Sequence, residues 1–177
     1  MRIGIVVATA MLLELAGAAP AHSQGSADKA LETYQLTMPN IRKMVTAYEK
    51  MDAALKANPA LAAKAAKEEG VSSMDELIKR LDGEPVVHQA IASAGISSRD
   101  LVLTQFAMFT AGMNDWAVTS GAKPPTAPVA AANLRLYQQN RPEIDQINAK
   151  LKQLESYQRN QTQDSEDRDR DDGSDDK

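Results

Sequence analysis

The sequence predicts an all-α fold, a compact single-domain array of about six to eight helices followed by a disordered acidic tail. Three observations predict it. Aromatic residues make up only 4% of the 177 positions, while alanine alone fills 29, a composition that favours helices over a sheet sandwich. Apolar residues recur at spacings of three and four along most of the chain. Prolines stand where helices should begin (Pro39, Pro59, Pro85, Pro142) and glycines where they should stop (Gly70, Gly83, Gly95, Gly121).

The first element is not part of that fold. Arg2, the apolar run Ile3 to Leu13 and the small residues of Ala16 to Ala21 have the three regions of a secretory signal peptide, residues 1–21. Ala19-Pro20-Ala21 places the cut before His22, and Ala21-His22-Ser23 is a second cleavage candidate. The run is far below the ~20 residues a membrane span needs, and Glu14 interrupts it. The sequence therefore predicts an exported product, periplasmic or extracellular, that does not span the membrane once the signal is cut.

Residues 22–27 read as a flexible lead, and the helical domain as 28–158. A short helix over about 28–35 carries Leu31 and Tyr34. The next, about 39–57, starts near Thr37 or Asn40 and lines up Ile41, Met44, Val45, Tyr48, Met51 and Leu55 in one stripe. The Ala-rich stretch 59–69 is helical with a thin apolar face. Helices at about 73–81 and 85–94 follow, carrying Met74, Leu77 and Ile78, then Val87, Ala90 and Ile91. Segment 98–120 is apolar in nearly every direction, from Leu101 through Phe106, Met108 and Met113 to Trp116, and reads as the central core helix. KPPTAP at 123–128 is a stiff connector. Helices at about 129–139 and 141–158 complete the domain, the last with Asn140 and Glu143 in capping-box spacing.

One motif recurs. Gly70-Val71-Ser72-Ser73-Met74-Asp75 and Gly95-Ile96-Ser97-Ser98-Arg99-Asp100 share a glycine stop, an apolar anchor, a serine cap and a first-turn acid. Two copies make a pair of similar corners rather than a repeat protein. In the second copy Ile96 and Leu101 are placed to staple the helix start. In the first copy Glu76 takes the matching position, and the staple fails.

Charge and composition exclude several function classes. The net charge of −4 belongs to the tail, 159–177, where eight acids face four bases; residues 1–158 balance at 16 of each. A neutral body offers no field for phosphates, which argues against nucleic acid as a partner. With no cysteine there is no disulfide frame, thiol nucleophile or Cys-held metal. In the tail, Asp172 stands where a calcium loop built on Asp167, Asp169 and Asp171 needs glycine. No G-x-S-x-G, Walker A or G-x-G-x-x-G motif lies beyond the signal, so no catalytic residue and no cofactor is assigned.

The candidate site residues are few. Asn114, Asp115 and Trp116 end the most apolar helix near the connector and are placed to line a pocket, with Gly112 marking a close approach. His88 follows Glu84 by one turn, and the pair is a weak metal candidate because further ligands are missing. Met44, Met51, Met74, Met108 and Met113 read as core gap-fillers rather than soft metal ligands. The expected function is a non-catalytic binding or interaction protein of the cell envelope, its partner a protein or a small apolar ligand. A small-ligand-binding or metal-handling periplasmic protein comes second, and an enzyme third.

Overall fold

The structure, a computed structural model, describes residues 25–67 and 70–154. Among them the chain is all-α. Its helices are α1 (Ser26–Thr33), α2 (Met38–Lys56), α3 (Pro59–Lys67), α4 (Met74–Gly83), α5 (Pro85–Ser93), α6 (Ser98–Thr119), α7 (Pro128–Gln139) and α8 (141–154). The expected signal segment 1–21 and acidic tail 159–177 lie outside the described residues.

Local chemistry sets the helix ends. Thr37 is extended, and its Oγ1 accepts the Asn40 N–H at 3.3 Å, with Pro39 in the first turn. Asn40, the other capping candidate, instead donates its side-chain amide to Tyr34 Oη at 3.1 Å. Helix α6 stops at Gly121, whose φ of 97° only glycine tolerates well. Ala122 N–H reaches back to Ala117 O at 2.9 Å and Gly121 N–H to Val118 O at 3.0 Å, closing a Schellman turn. Gly95, with φ 75°, turns the chain out of α5. Gly83 needs no such freedom. There the stop comes from Pro85, which holds Glu84 extended.

Helix α6 is the axis of the molecule, packed by α1, α2, α4, α5 and α7. From Leu101 to Gln105 every residue is buried. Beyond that run the buried positions thin to Ala107, Met108, Ala111 and Asp115, a single stripe. Met113 is 50% exposed and Trp116 65% exposed, which corrects the expectation that both are core residues. The 22-residue helix is ~33 Å long, and the 8- to 10-residue helices α1, α4 and α5 cannot cover that length. Met44, Met51, Met74 and Met108 are buried as expected.

Buried polar groups stitch these helices together. Tyr34 and Thr104 share a hydroxyl–hydroxyl bond of 2.8 Å, and Tyr48 Oη donates to Gln105 Oε1. Between α1 and α2 the backbone is extended and buried at Leu36, where helix hydrogen bonds are absent. Asn133 on α7 supplies them: its Oδ1 accepts Leu36 N–H at 2.8 Å, and its Nδ2 donates to Tyr34 O at 2.9 Å.

Helix α8 lies along α2. Ile144 and Ile147 enter the same core as Ile41 and Met44. At the surface Arg42 grips both oxygens of Glu143, at 2.7 and 3.0 Å, and Lys150 meets Glu49 at 2.5 Å. The expected capping box therefore does not form. Arg42 takes the Glu143 carboxylate, holding its pKa below the usual range, and the Asn140 amide donates to Leu136 O at 2.8 Å. At Gly112 the close approach is the ring of Tyr137, whose Oη would lie 3.3 Å from a Cβ placed there. Burial pushes the Tyr137 phenol upward in pKa, aided by Asp145 and opposed by a bond to Asn148.

The two motif copies differ by one residue in frame. In the second, Ser97 is the cap: its Oγ accepts Asp100 N–H at 3.0 Å and donates to Asp100 Oδ2 at 2.8 Å, with Ile96 and Leu101 both buried. In the first, the cap is the other serine, Ser73, which accepts Glu76 N–H at 3.2 Å. Glu76 selects that frame, because its carboxylate reaches back to Ser72 N–H at 2.8 Å and Ser72 Oγ at 2.7 Å.

Candidate functional site

A cavity of about 480 Å³ opens where the end of α4, one face of α5 and the start of α6 meet. Its apolar wall is Ile91, Ala92, Gly95 and Ile96. Its polar wall is Asp82, His88, Ser97, Ser98 and Arg99. The sequence dictates this corner. Gly95 reverses the chain, Ile96 anchors in the core, Ser97 caps α6, and Ser98 and Arg99 follow as its first two residues.

Ser98 is the unusual member. It is 3% exposed, and its hydroxyl has no hydrogen-bond partner. Leaving a buried hydroxyl unmatched costs about 1–3 kcal/mol, so such groups are rare in native folds. The first-turn amides of a helix lack intrahelical acceptors and carry partial positive charge. In α6 Ser97 Oγ takes the Asp100 amide, and those of Ser98 and Arg99 begin the helix beside the cavity.

Arg99 also reaches α1. Its guanidinium donates to Ser26 Oγ at 3.4 Å and Ser26 O at 3.3 Å. Asp75 completes that junction by accepting Ser26 Oγ–H at 3.0 Å and Ala27 N–H at 3.3 Å. The Ala27 amide bond does most to hold the Asp75 carboxyl below its ordinary pKa, with Ser26 and Arg99 adding to it. A Cβ at Gly25 would collide with Asp75 Oδ2, so a side chain there would displace that carboxylate.

His88 does not pair with Glu84. Its Nδ1 lies 3.2 Å from Asp82 Oδ1, while Glu84 meets Lys64 of α3 at 2.9 Å. Glu84 caps α5 with an extended backbone, so its side chain leaves the face that carries His88. Among the described residues no group of three or more His, Asp or Glu side chains is gathered for a metal ion. No hydrogen bond joins Ser98 to His88, so the Asp82–His88 pair lacks the nucleophile contact used in acyl transfer.

Asn114, Asp115 and Trp116 stand at the opposite end of α6 from this cavity. Being consecutive on a helix, they point about 100° apart. Asp115 is buried, pairs with Arg141, and accepts from Gln138 Nε2 at 3.1 Å. Asn114 is half-buried, and Trp116 faces outward. Sequence reasoning missed Asp82, Ser98 and Arg99 as a group. Ser98 carried the one signal, a second serine directly behind a cap, which has no capping duty of its own.

No family model matches the chain, and comparison with curated proteins and with solved structures finds no significant match.

Proposed function

We propose that this chain is an exported, non-catalytic binding protein of the cell envelope that takes a small ligand in the cavity at the α4–α5–α6 corner. The observation that carries this reading is the concave corner itself, apolar on one side at Ile91, Ala92, Gly95 and Ile96 and polar on the other at Asp82, His88, Ser97 and Arg99. Small-ligand sites are typically concave and largely apolar, with a few convergent polar groups. The signal-like residues 1–21 support export.

The test is a small-molecule screen followed by amide NMR. Binding should move the resonances of Ile91, Ile96 and Ser98. A screen of acidic, basic and neutral compounds that leaves those amides in place would overturn the reading. Export is tested separately by N-terminal sequencing of the secreted product, which should begin at His22.

A second reading, docking of a protein partner on α6, is favoured by the exposed Met113 and Trp116, three residues apart on one helix. As the sole tryptophan, Trp116 reports such docking through its fluorescence.

A further inference from the structure

We infer that the exposed face of α6 pairs with the same face of a second copy of this chain in an antiparallel, two-fold dimer; this rests on the docking reading above, not on the corner cavity. Among the described residues Met113 and Trp116 are large apolar side chains in the open, and Phe109 beside them is half-buried. At ~100° per residue, Phe109, Met113 and Trp116 fall within about 60° of one another. They lie across the helix from the buried stripe of Ala107, Met108 and Ala111. With Phe106 they follow spacings of three, four and three, the alternation by which one helix presents a seam to another running alongside it.

The chain's own remaining segments do not supply a matching seam. In residues 155–177 the one apolar or aromatic side chain is Tyr157, and between the expected signal cut and Gly25 stand His22, Ser23 and Gln24. Charge then favours a second copy over a different partner. From Leu101 to Ala122 the only charged residue is Asp115, which is buried and paired with Arg141. Thr110 and Ala117 flank the seam on one side, and Gly112, covered by the Tyr137 ring, on the other. An uncharged face does not repel its own copy and offers nothing to steer in a charged partner. A two-fold contact of this kind closes at two chains. Antiparallel packing sets opposite helix dipoles side by side. It also carries Leu101–Gln105, buried on every side, past the end of the partner helix. The contact is small. Trp116, 65% exposed, holds out on the order of 150 Å², and three such side chains stay well below the ~800 Å² per partner of a standard interface. The dimer is therefore transient, with a Kd of about 10–100 µM.

Sedimentation of the full mature chain from about 1 to 500 µM, a range spanning that Kd, tests the pairing, with Trp116 emission read on the same samples. The mass should rise from one chain to two and no further, and the emission should move to the blue over the same range as the indole leaves water. Met113→Glu and Met113→Lys should each stay monomeric with an unchanged Tm, because the position is exposed. An equimolar mixture of the two should pair again through opposite charges. Trp116→Ala should weaken the dimer at least about tenfold. A wild-type chain that stays monomeric with unshifted emission overturns the inference. So does a dimer that survives Met113→Glu, a mixture that fails to pair, or growth beyond two chains. A photo-crosslinker in place of Met113, activated in the concentrated pure chain and in the cell envelope, separates this from the docking reading. An adduct of twice the chain mass supports the pair. Adducts only of other masses overturn the second copy while docking on α6 stands, and no adduct in either setting overturns both.

Discussion

Asn133 satisfies Leu36 across 97 residues of sequence, its side-chain Oδ1 taking a buried backbone N–H at 2.8 Å that no helix provides for. The same amide donates to Tyr34 O, so one side chain does for the 34–37 linker what a neighbouring strand does in a sheet. Through that linker α7 fixes how α1 enters α2.

Asn133→Ala should therefore cost about 2–4 kcal/mol, because two backbone groups lose their partners and the Leu36 amide is left buried. Asn133→Asp should not rescue the loss, since it keeps the acceptor but sets a carboxylate against the Tyr34 carbonyl. Urea unfolding measures the cost. Hydrogen exchange at the Leu36 amide should rise selectively in both variants, and unchanged exchange there would remove Asn133 from this role.

Helices were legible in the sequence because their signals are local. Thr37, Pro39, Ser97 and the three-and-four spacing of Ile41, Met44 and Val45 act within a turn or two of the structure they specify. Asn133 has no such signal: a lone asparagine in an Ala-rich helix reads as a surface residue until the linker it serves is in place. The cavity was hidden for a related reason. Ile96 and Leu101 mark Ser97 as the cap in the sequence, but only the packing of α6 buries the Ser98 hydroxyl without a partner. At the other end of α6, composition marked Trp116 as core, but burial depends on how far the neighbouring helices extend.

Those two serines should respond oppositely to truncation. Ser97→Ala removes the acceptor of the Asp100 amide and should destabilise the protein by about 1 kcal/mol. Ser98→Ala deletes a hydroxyl that has no partner and should be neutral or stabilising by up to about 1 kcal/mol. Chemical denaturation of the pair gives the comparison. Equal destabilisation by both would mean that Ser98 has a partner after all.

Acid should loosen α1 before it unfolds the core. The Asp75 carboxyl has a folded pKa below its ordinary value of 3.8, mainly through the Ala27 amide. A depressed carboxylate contributes stability above its unfolded pKa and loses it as the pH falls through the folded value. The window therefore lies below about pH 4. Glu76 and Glu143 are depressed in the same direction, by Ser72 and by Arg42, and reinforce the trend. Amide exchange over residues 26–33 should rise in that window, and Asp75→Asn should flatten the response. Gly25→Ala, which displaces the Asp75 carboxylate, should produce the loosened state already at neutral pH.

Asp115 illustrates how a residue that looked functional in the sequence is tied to the architecture. Its side chain is 9% exposed, pairs with Arg141 at the start of α8, and accepts from Gln138 at the end of α7. Removing one partner of a buried pair strands the other charge, at about 3–5 kcal/mol when both are buried. Arg141 is 47% exposed, so solvent takes up part of that cost, and Arg141→Met should lose about 2–3 kcal/mol. Asp115→Asn removes the charge itself and keeps a group able to bond Gln138, so its loss should be smaller. With the asparagine in place, adding Arg141→Met should cost little more. A double-mutant cycle in urea measures that coupling directly. The same variants should leave ligand binding at the α4–α5–α6 corner unchanged, because Asp115 lies nearly five turns along α6 from Ser98. A parallel loss of binding and stability would show that the two ends of the helix are coupled.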